Sequence, residues 1–207
     1  MKLFASKFLF VFGIFIFQKS FSQDAITFYN QGNAYFNQEK FDLAINSYTS
    51  ALKKNPQLTE AYCNRGFTYF TQRKYIPAIA DFDSAIKINP ALSTAYANRG
   101  LVFYNQGKYD QAIKDYSTAL KIDSLDAETY ANRGAAYFKQ GKYDSAIADY
   151  SSVIQINPKL AATYYDRGHN YFMLNKKELC IADLKKAADL GDNRARGLLK
   201  SKLNIDY

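Results

Sequence analysis

Apolar and polar positions along most of the chain repeat with helical spacing, in pairs of short runs divided by polar breaks. Phe28, Gly32 and Tyr35 share one helix face, as do Tyr62, Gly66 and Tyr69, and again Tyr130, Gly134 and Tyr137. After a break such as "NQEK", "NQGK" or "KQGK" a second pattern follows. Ala112, Ile113, Tyr116, Ala119 and Leu120 fall at i, i+1, i+4, i+7 and i+8, a broad stripe suited to facing a core. Three of these second runs end at Asn-Pro (Asn55–Pro56, Asn89–Pro90, Asn157–Pro158), where proline stops a helix and disfavours it in the preceding residue. "IDSLD" at 122–126 takes the same place without proline. The pattern predicts helix, tight turn, helix, and a turn into the next such unit.

The period is exact in the glycines. Gly32, Gly66, Gly100, Gly134 and Gly168 are each 34 residues apart. They define five units, 25–58, 59–92, 93–126, 127–160 and 161–194, none able to bury its apolar face alone. "DNRARGLLKSK" reads as a capping helix over about 192–202. The predicted fold is all-α, five helix-turn-helix repeats plus this cap, filling a domain over 23–207. Glycine in the first helix and alanine twice in the second let paired backbones approach closely, with aromatics filling the gaps.

The start of the chain reads differently. "MKLFASK" is basic, Phe8 to Phe17 is a ten-residue apolar run, and Ser20 and Ser22 follow in "QKSFSQ". This is the layout of a signal peptide over 1–22, cleaved after about Ser22 or Gln23. The run is short for a membrane span, which needs about 20 apolar residues; retained, it would make the protein a membrane-tethered adaptor. Removing Lys2, Lys7 and Lys19 lowers the net charge from +8 to +5, too mild for a nucleic-acid stripe. Cys63 and Cys180 lie three units apart, and such units do not touch in a stack, so no disulfide is expected.

Within "YANRG" (96–100 and 130–134) and its variants the arginine has a partner. Arg65, Arg99, Arg133 and Arg167 are each followed sixteen residues later by an acid, Asp81, Asp115, Asp149 and Asp183. The first unit has Gln31 and Ser47 at these places, so both charges vanish together. Their joint loss predicts a structural Arg–Asp pair between the two helices of a unit.

These residues resemble the tetratricopeptide repeat family. The fourth unit carries the match in Tyr130, Gly134, Tyr137, Ala146, Tyr150 and Pro158, with Val153 for the usual alanine; four units match closely. The fifth departs, with Cys180 and Leu184 replacing alanine and an aromatic. The resemblance implies a right-handed α-solenoid whose first helices line the concave side. Asn30, Asn64, Asn98 and Asn132, followed by Asp166, then form a ladder along the groove, and a side-chain amide both donates and accepts, as gripping a peptide backbone requires. Phe36, Phe70, Tyr104, Phe138 and Phe172, four residues after each glycine, add an aromatic column that either meets the ligand or packs helices. The chaperone-clamping members place lysines on the concave helices; the matching places here hold Tyr29, Thr94, Ala97, Glu128 and Ala131, which argues against that specificity. Lysines sit instead in the turns, at 40, 74, 108, 142 and 176.

No catalytic set assembles. His169 is the only histidine, no glycine-rich phosphate loop exists, and no cofactor or metal is expected. The expected function is a non-catalytic scaffold binding a protein or peptide in the groove, in an exported compartment, periplasmic or extracellular in a bacterium. A structural spacer or self-association module is the alternative.

Overall fold

The computed structural model describes residues 23–205, which are helical and contain no strand. The expected signal peptide lies outside the described residues. Helix α1 runs through 23–37. It is followed by α2 (Phe41–Lys54), α3 (Thr59–Thr71), α4 (Tyr75–Ile88), α5 (Ser93–Asn105), α6 (Tyr109–Ile122), α7 (Ala127–Lys139), α8 (Tyr143–Ile156), α9 (Ala161–Met173), α10 (Lys177–Asp189) and α11 (Asn193–Leu203). Odd and even helices pair as the first and second members of five repeats, and α11 follows as the cap. The chain divides into two compact units, 1–98 and 99–207, with the boundary inside α5.

Each first helix ends in the same hydrogen-bonded motif. The Lys40 N–H donates to the Tyr35 carbonyl and the Glu39 N–H to that of Phe36; Arg73 and Lys74, Gly107 and Lys108, Gly141 and Lys142, and Asn175 and Lys176 repeat this one period apart. This is the Schellman arrangement, which needs a left-handed residue after the helix. Gly107 (φ 74°) and Gly141 (φ 71°) supply it without strain, whereas Glu39 and Arg73 hold φ 58°. An L-residue there costs about 1–2 kcal/mol. Replacing exposed Glu39 or Arg73 with glycine, as repeats three and four have it, should raise unfolding stability by about 1 kcal/mol each in urea titrations; a loss of stability would show that these side chains hold the turn. The second helices end in Asx turns, in which Asn55, Asn89, Asp123 and Asn157 accept from the backbone N–H two residues on. Asp123 does this without a proline, so the side chain rather than the ring makes the turn.

In the first unit, Ala44, Tyr48 and Ala51 of α2 and Ala61 of α3 are buried, and Phe28, Tyr29 and Tyr62 pack beside them. In the second, Tyr116 and Ala112 of α6 pack with Ala136 of α7. The terminal core, Leu184, Ala187, Ala188, Ala195 and Leu199, joins α10 to the cap. Gly32, Gly66, Gly100 and Gly134 are set against a ring of the second helix. A Cβ built on Gly32 would lie 2.5 Å from Tyr48 Cε1, and one on Gly100 would lie 2.8 Å from Tyr116 Cε1.

Candidate functional site

The arginine column is held inside the protein. Arg65, Arg99, Arg133 and Arg167 each donate through Nε and Nη2 to both oxygens of Asp81, Asp115, Asp149 and Asp183, at 2.7–2.9 Å. The third nitrogen also works: Arg65 Nη1 donates to Thr49 Oγ1, and those of Arg133 and Arg167 to Ser117 and Ser151, hydroxyls of the preceding repeat. Arg65, Arg133 and Arg167 therefore each tie two helices of their own repeat to the one before. The first-helix tyrosines flank the guanidinium: Arg133 Cζ lies 5.6 Å from the Tyr130 ring centre and 5.9 Å from that of Tyr137. These tyrosines do more than fill gaps between helices; they cover the ion pair with cation–π contacts. Hydrogen bonds to Asp149 and Asp183 raise the pKa of Arg133 and Arg167, so both stay charged.

The asparagine column is not uniform. Asn30 is exposed, and Asn98 and Asn132 are half-buried with side-chain amides that make no hydrogen bond among the described residues. Asn64 differs. Its Nδ2 donates to Asn33 Oδ1 at 2.8 Å and to Tyr29 Oη at 3.1 Å, while Tyr48 Oη donates to the same Asn33 oxygen at 2.8 Å. At this second rung of the column both amide donors are already used. The reason lies one residue after the glycine: the first repeat has Asn33, where the others have Phe67, Leu101, Ala135 and His169. Around this network lies a cleft of about 330 Å³, lined by Asn33, Phe36, Asn37, Tyr48, Asn64 and Phe67.

The aromatic column packs first against its own repeat. Phe36 sits 5.6 Å from Phe41, Phe70 6.2 Å from Tyr75, Tyr104 5.6 Å from Tyr109 and Phe138 5.7 Å from Tyr143, each pair closing the turn between two helices. Phe36, Tyr104 and Phe138 also border clefts, so packing and lining coincide in one residue. Phe172 contacts His169 at 6.5 Å. Asp166 is half-buried on α9 beside His169 and Asn170. Cys63 is buried against Ala85 and Ala95. Both thiols are free and buried, and burial pushes Cys63 up to about 12 and Cys180 up to about 11. Among the described residues no cluster of His, Cys, Asp or Glu could hold a metal ion, and no helix is long and apolar enough to cross a membrane.

Burial also governs the second-helix tyrosines. It pushes the Tyr48 hydroxyl up to about 12 and raises those of Tyr116 and Tyr150 well above the ordinary value near 10. The folded chain therefore binds more protons than the unfolded chain once pH exceeds about 10. The stability these groups lend is complete below that pH and is lost as pH rises through about 12, at about 1.4 kcal/mol per pH unit for each tyrosine. Urea midpoints measured from pH 8 to 11.5 should fall steeply above 10; a flat profile would contradict the burial. The buried Tyr116 hydroxyl has no hydrogen-bond partner among the described residues, and the second repeat has Phe82 at this place. Tyr116→Phe should thus stabilise the protein by about 1 kcal/mol and soften the alkaline loss.

An all-helical repeat scaffold presenting side-chain amides and aromatics from its first helices is the class these features define. The chain belongs to the tetratricopeptide repeat family: one family profile, described as TPR repeat, matches residues 32–72 and 100–141, and another, described as tetratricopeptide repeat, matches 59–92 and 127–160, together more than half of the chain. Among solved structures, one of MamA protein is 22% identical with a TM-score of 0.74, covering 89% of this chain and 98% of its own. YrrB, titled a TPR protein with an unusual peptide-binding site, is 22% identical with a TM-score of 0.71, covering 86% and 94%. The first TPR of Spaghetti (RPAP3), bound to HSP90 peptide SRMEEVD, is 29% identical with a TM-score of 0.57, covering 58% of this chain and 95% of its own. No curated protein sequence matches the chain.

Proposed function

We propose that this protein is a non-catalytic scaffold that holds a peptide or an extended protein segment on the face of its first helices. The observation that carries this is the half-buried amide of Asn132, which makes no hydrogen bond among the described residues; Asn98 holds the same repeat position in the sequence. An amide that donates and accepts can grip a peptide backbone whatever its side chains. Membership of the family and a structural relative with a bound peptide support the same reading. The lack of lysine at 29, 94, 97, 128 and 131 points to a ligand other than the acidic peptide that relative holds. We further propose that the protein acts after export, the basic and apolar start of the chain being its signal; N-terminal sequencing of the protein from the producing cell checks this, and an intact Met1 in an exported fraction would favour a tethered adaptor.

The test is a selection of random peptides on the purified protein, followed by calorimetry of the enriched sequences. Changing Asn98 and Asn132 together to alanine should weaken them about tenfold, since each lost hydrogen bond is worth about 0.5–1.5 kcal/mol. No enriched peptide, or unchanged affinity in a variant with native helicity, would favour the spacer reading instead.

A further inference from the structure

One cluster in the second unit holds polar groups that helix packing does not use. A cleft of about 180 Å³ is bordered by Tyr104, Phe138, Tyr150, Asp166, His169 and Asn170. Asn170 is only 1% exposed; its Nδ2 donates to the Asp166 carbonyl at 2.7 Å, but its Oδ1 is buried with no hydrogen-bond partner among the described residues. The other repeats place Ala34, Thr68, Val102 and Ala136 here, so helix packing does not require an amide. A buried acceptor left unpaired costs about 1–3 kcal/mol. Asp166 stands where the other first helices carry asparagine, and its carboxylate takes part in no hydrogen bond or ion pair among the described residues. Burial raises its pKa, opposed by the Arg194 charge and reinforced by Asp192. Arg194 is itself engaged, donating to Asp192 at 2.6 Å and lying 4.3 Å from the Tyr165 ring centre.

The walls are aromatic. His169 lies 5.3 Å from Phe138, and burial lowers its pKa, so the imidazole is neutral at pH 7 and brings no competing positive charge. The cleft therefore joins two oxygen acceptors that lack donors to ring faces that attract cations. A carboxylate would meet Asp166 and be repelled. An ammonium or guanidinium group brings several donors and the charge that both oxygens and rings favour.

We propose that this cleft is a specificity pocket for a cationic side chain, lysine or arginine, of the peptide held on the first-helix face. The inference rests on the peptide-binding reading above. Peptides selected on the purified protein should carry a basic residue at one fixed position. Calorimetry of one such peptide should show about a tenfold or greater loss when that residue is replaced by acetyl-lysine, and a comparable loss in Asp166→Asn. A peptide pair differing only as lysine or arginine distinguishes the two cations. The acetyl-lysine arm uses the unaltered protein, so it holds even where a variant folds poorly. Enriched peptides with no basic position, or equal affinity for the acetylated form, would overturn the pocket while leaving peptide binding intact; the absence of any enriched peptide would overturn both.

Discussion

Asp149→Ala is expected to lower unfolding stability by about 3–5 kcal/mol, because it leaves the Arg133 guanidinium charged in a site where its side chain is only 18% exposed. Asp149 holds two of that group's hydrogen bonds at 2.7 and 2.9 Å, and no nearby carboxylate replaces it among the described residues. The chain carries its own control. The first repeat folds with Gln31 and Ser47 at the equivalent places, so the pair Arg133→Gln with Asp149→Ser should lose far less than Asp149→Ala alone. Urea titration of single and double variants gives the coupling directly. A double-mutant cycle that closes to zero would contradict the account of these residues as one interhelical clamp.

Gly100→Leu should cost about 1–3 kcal/mol, as overpacking does in a tightly filled core. A Cβ at Gly100 would stand 2.8 Å from Tyr116 Cε1, and 3.3 Å from the Ala112 carbonyl oxygen, which cannot move without shifting α6. The ring has no room to retreat, since Tyr116 is fully buried. The fifth repeat shows how the clash relaxes: it keeps Gly168 but carries Leu184, and a Cβ there would meet the leucine at 3.3 Å. Gly100→Ala should therefore be tolerated better in a Tyr116→Leu background than alone, with coupling of roughly 0.5–3 kcal/mol. Strictly additive losses would show that the glycine serves something other than close approach.

Features that recur every repeat were legible in the sequence. The glycine spacing marks the helix pairs, and the joint disappearance of Arg and Asp in the first repeat marks the ion pair. What escaped reading is what happens once and between repeats. The Asn33–Asn64 bond joins residues 31 apart on α1 and α3, and no spacing rule marks asparagine as a partner for asparagine. Asn170 carries no mark in the sequence, because burial of a single amide follows from the packing of α9 rather than from its neighbours in the chain. The strained turns were half legible: the 34-residue period sets Glu39 and Arg73 level with Gly107 and Gly141, but that the place demands a left-handed backbone shows only in the structure. The aromatic column was ambiguous for a physical reason, since Phe138 closes its own turn and borders a cleft at once.

The surface that meets a peptide can be read directly. Chemical-shift mapping of the isotope-labelled protein, titrated with a peptide selected on it, reads that surface residue by residue. The account predicts changes concentrated at Asn98, Asn132, Asp166 and His169 on the first helices. Changes confined to the turn lysines at 108 and 142, or to the exposed positions of α6 and α8, would contradict it.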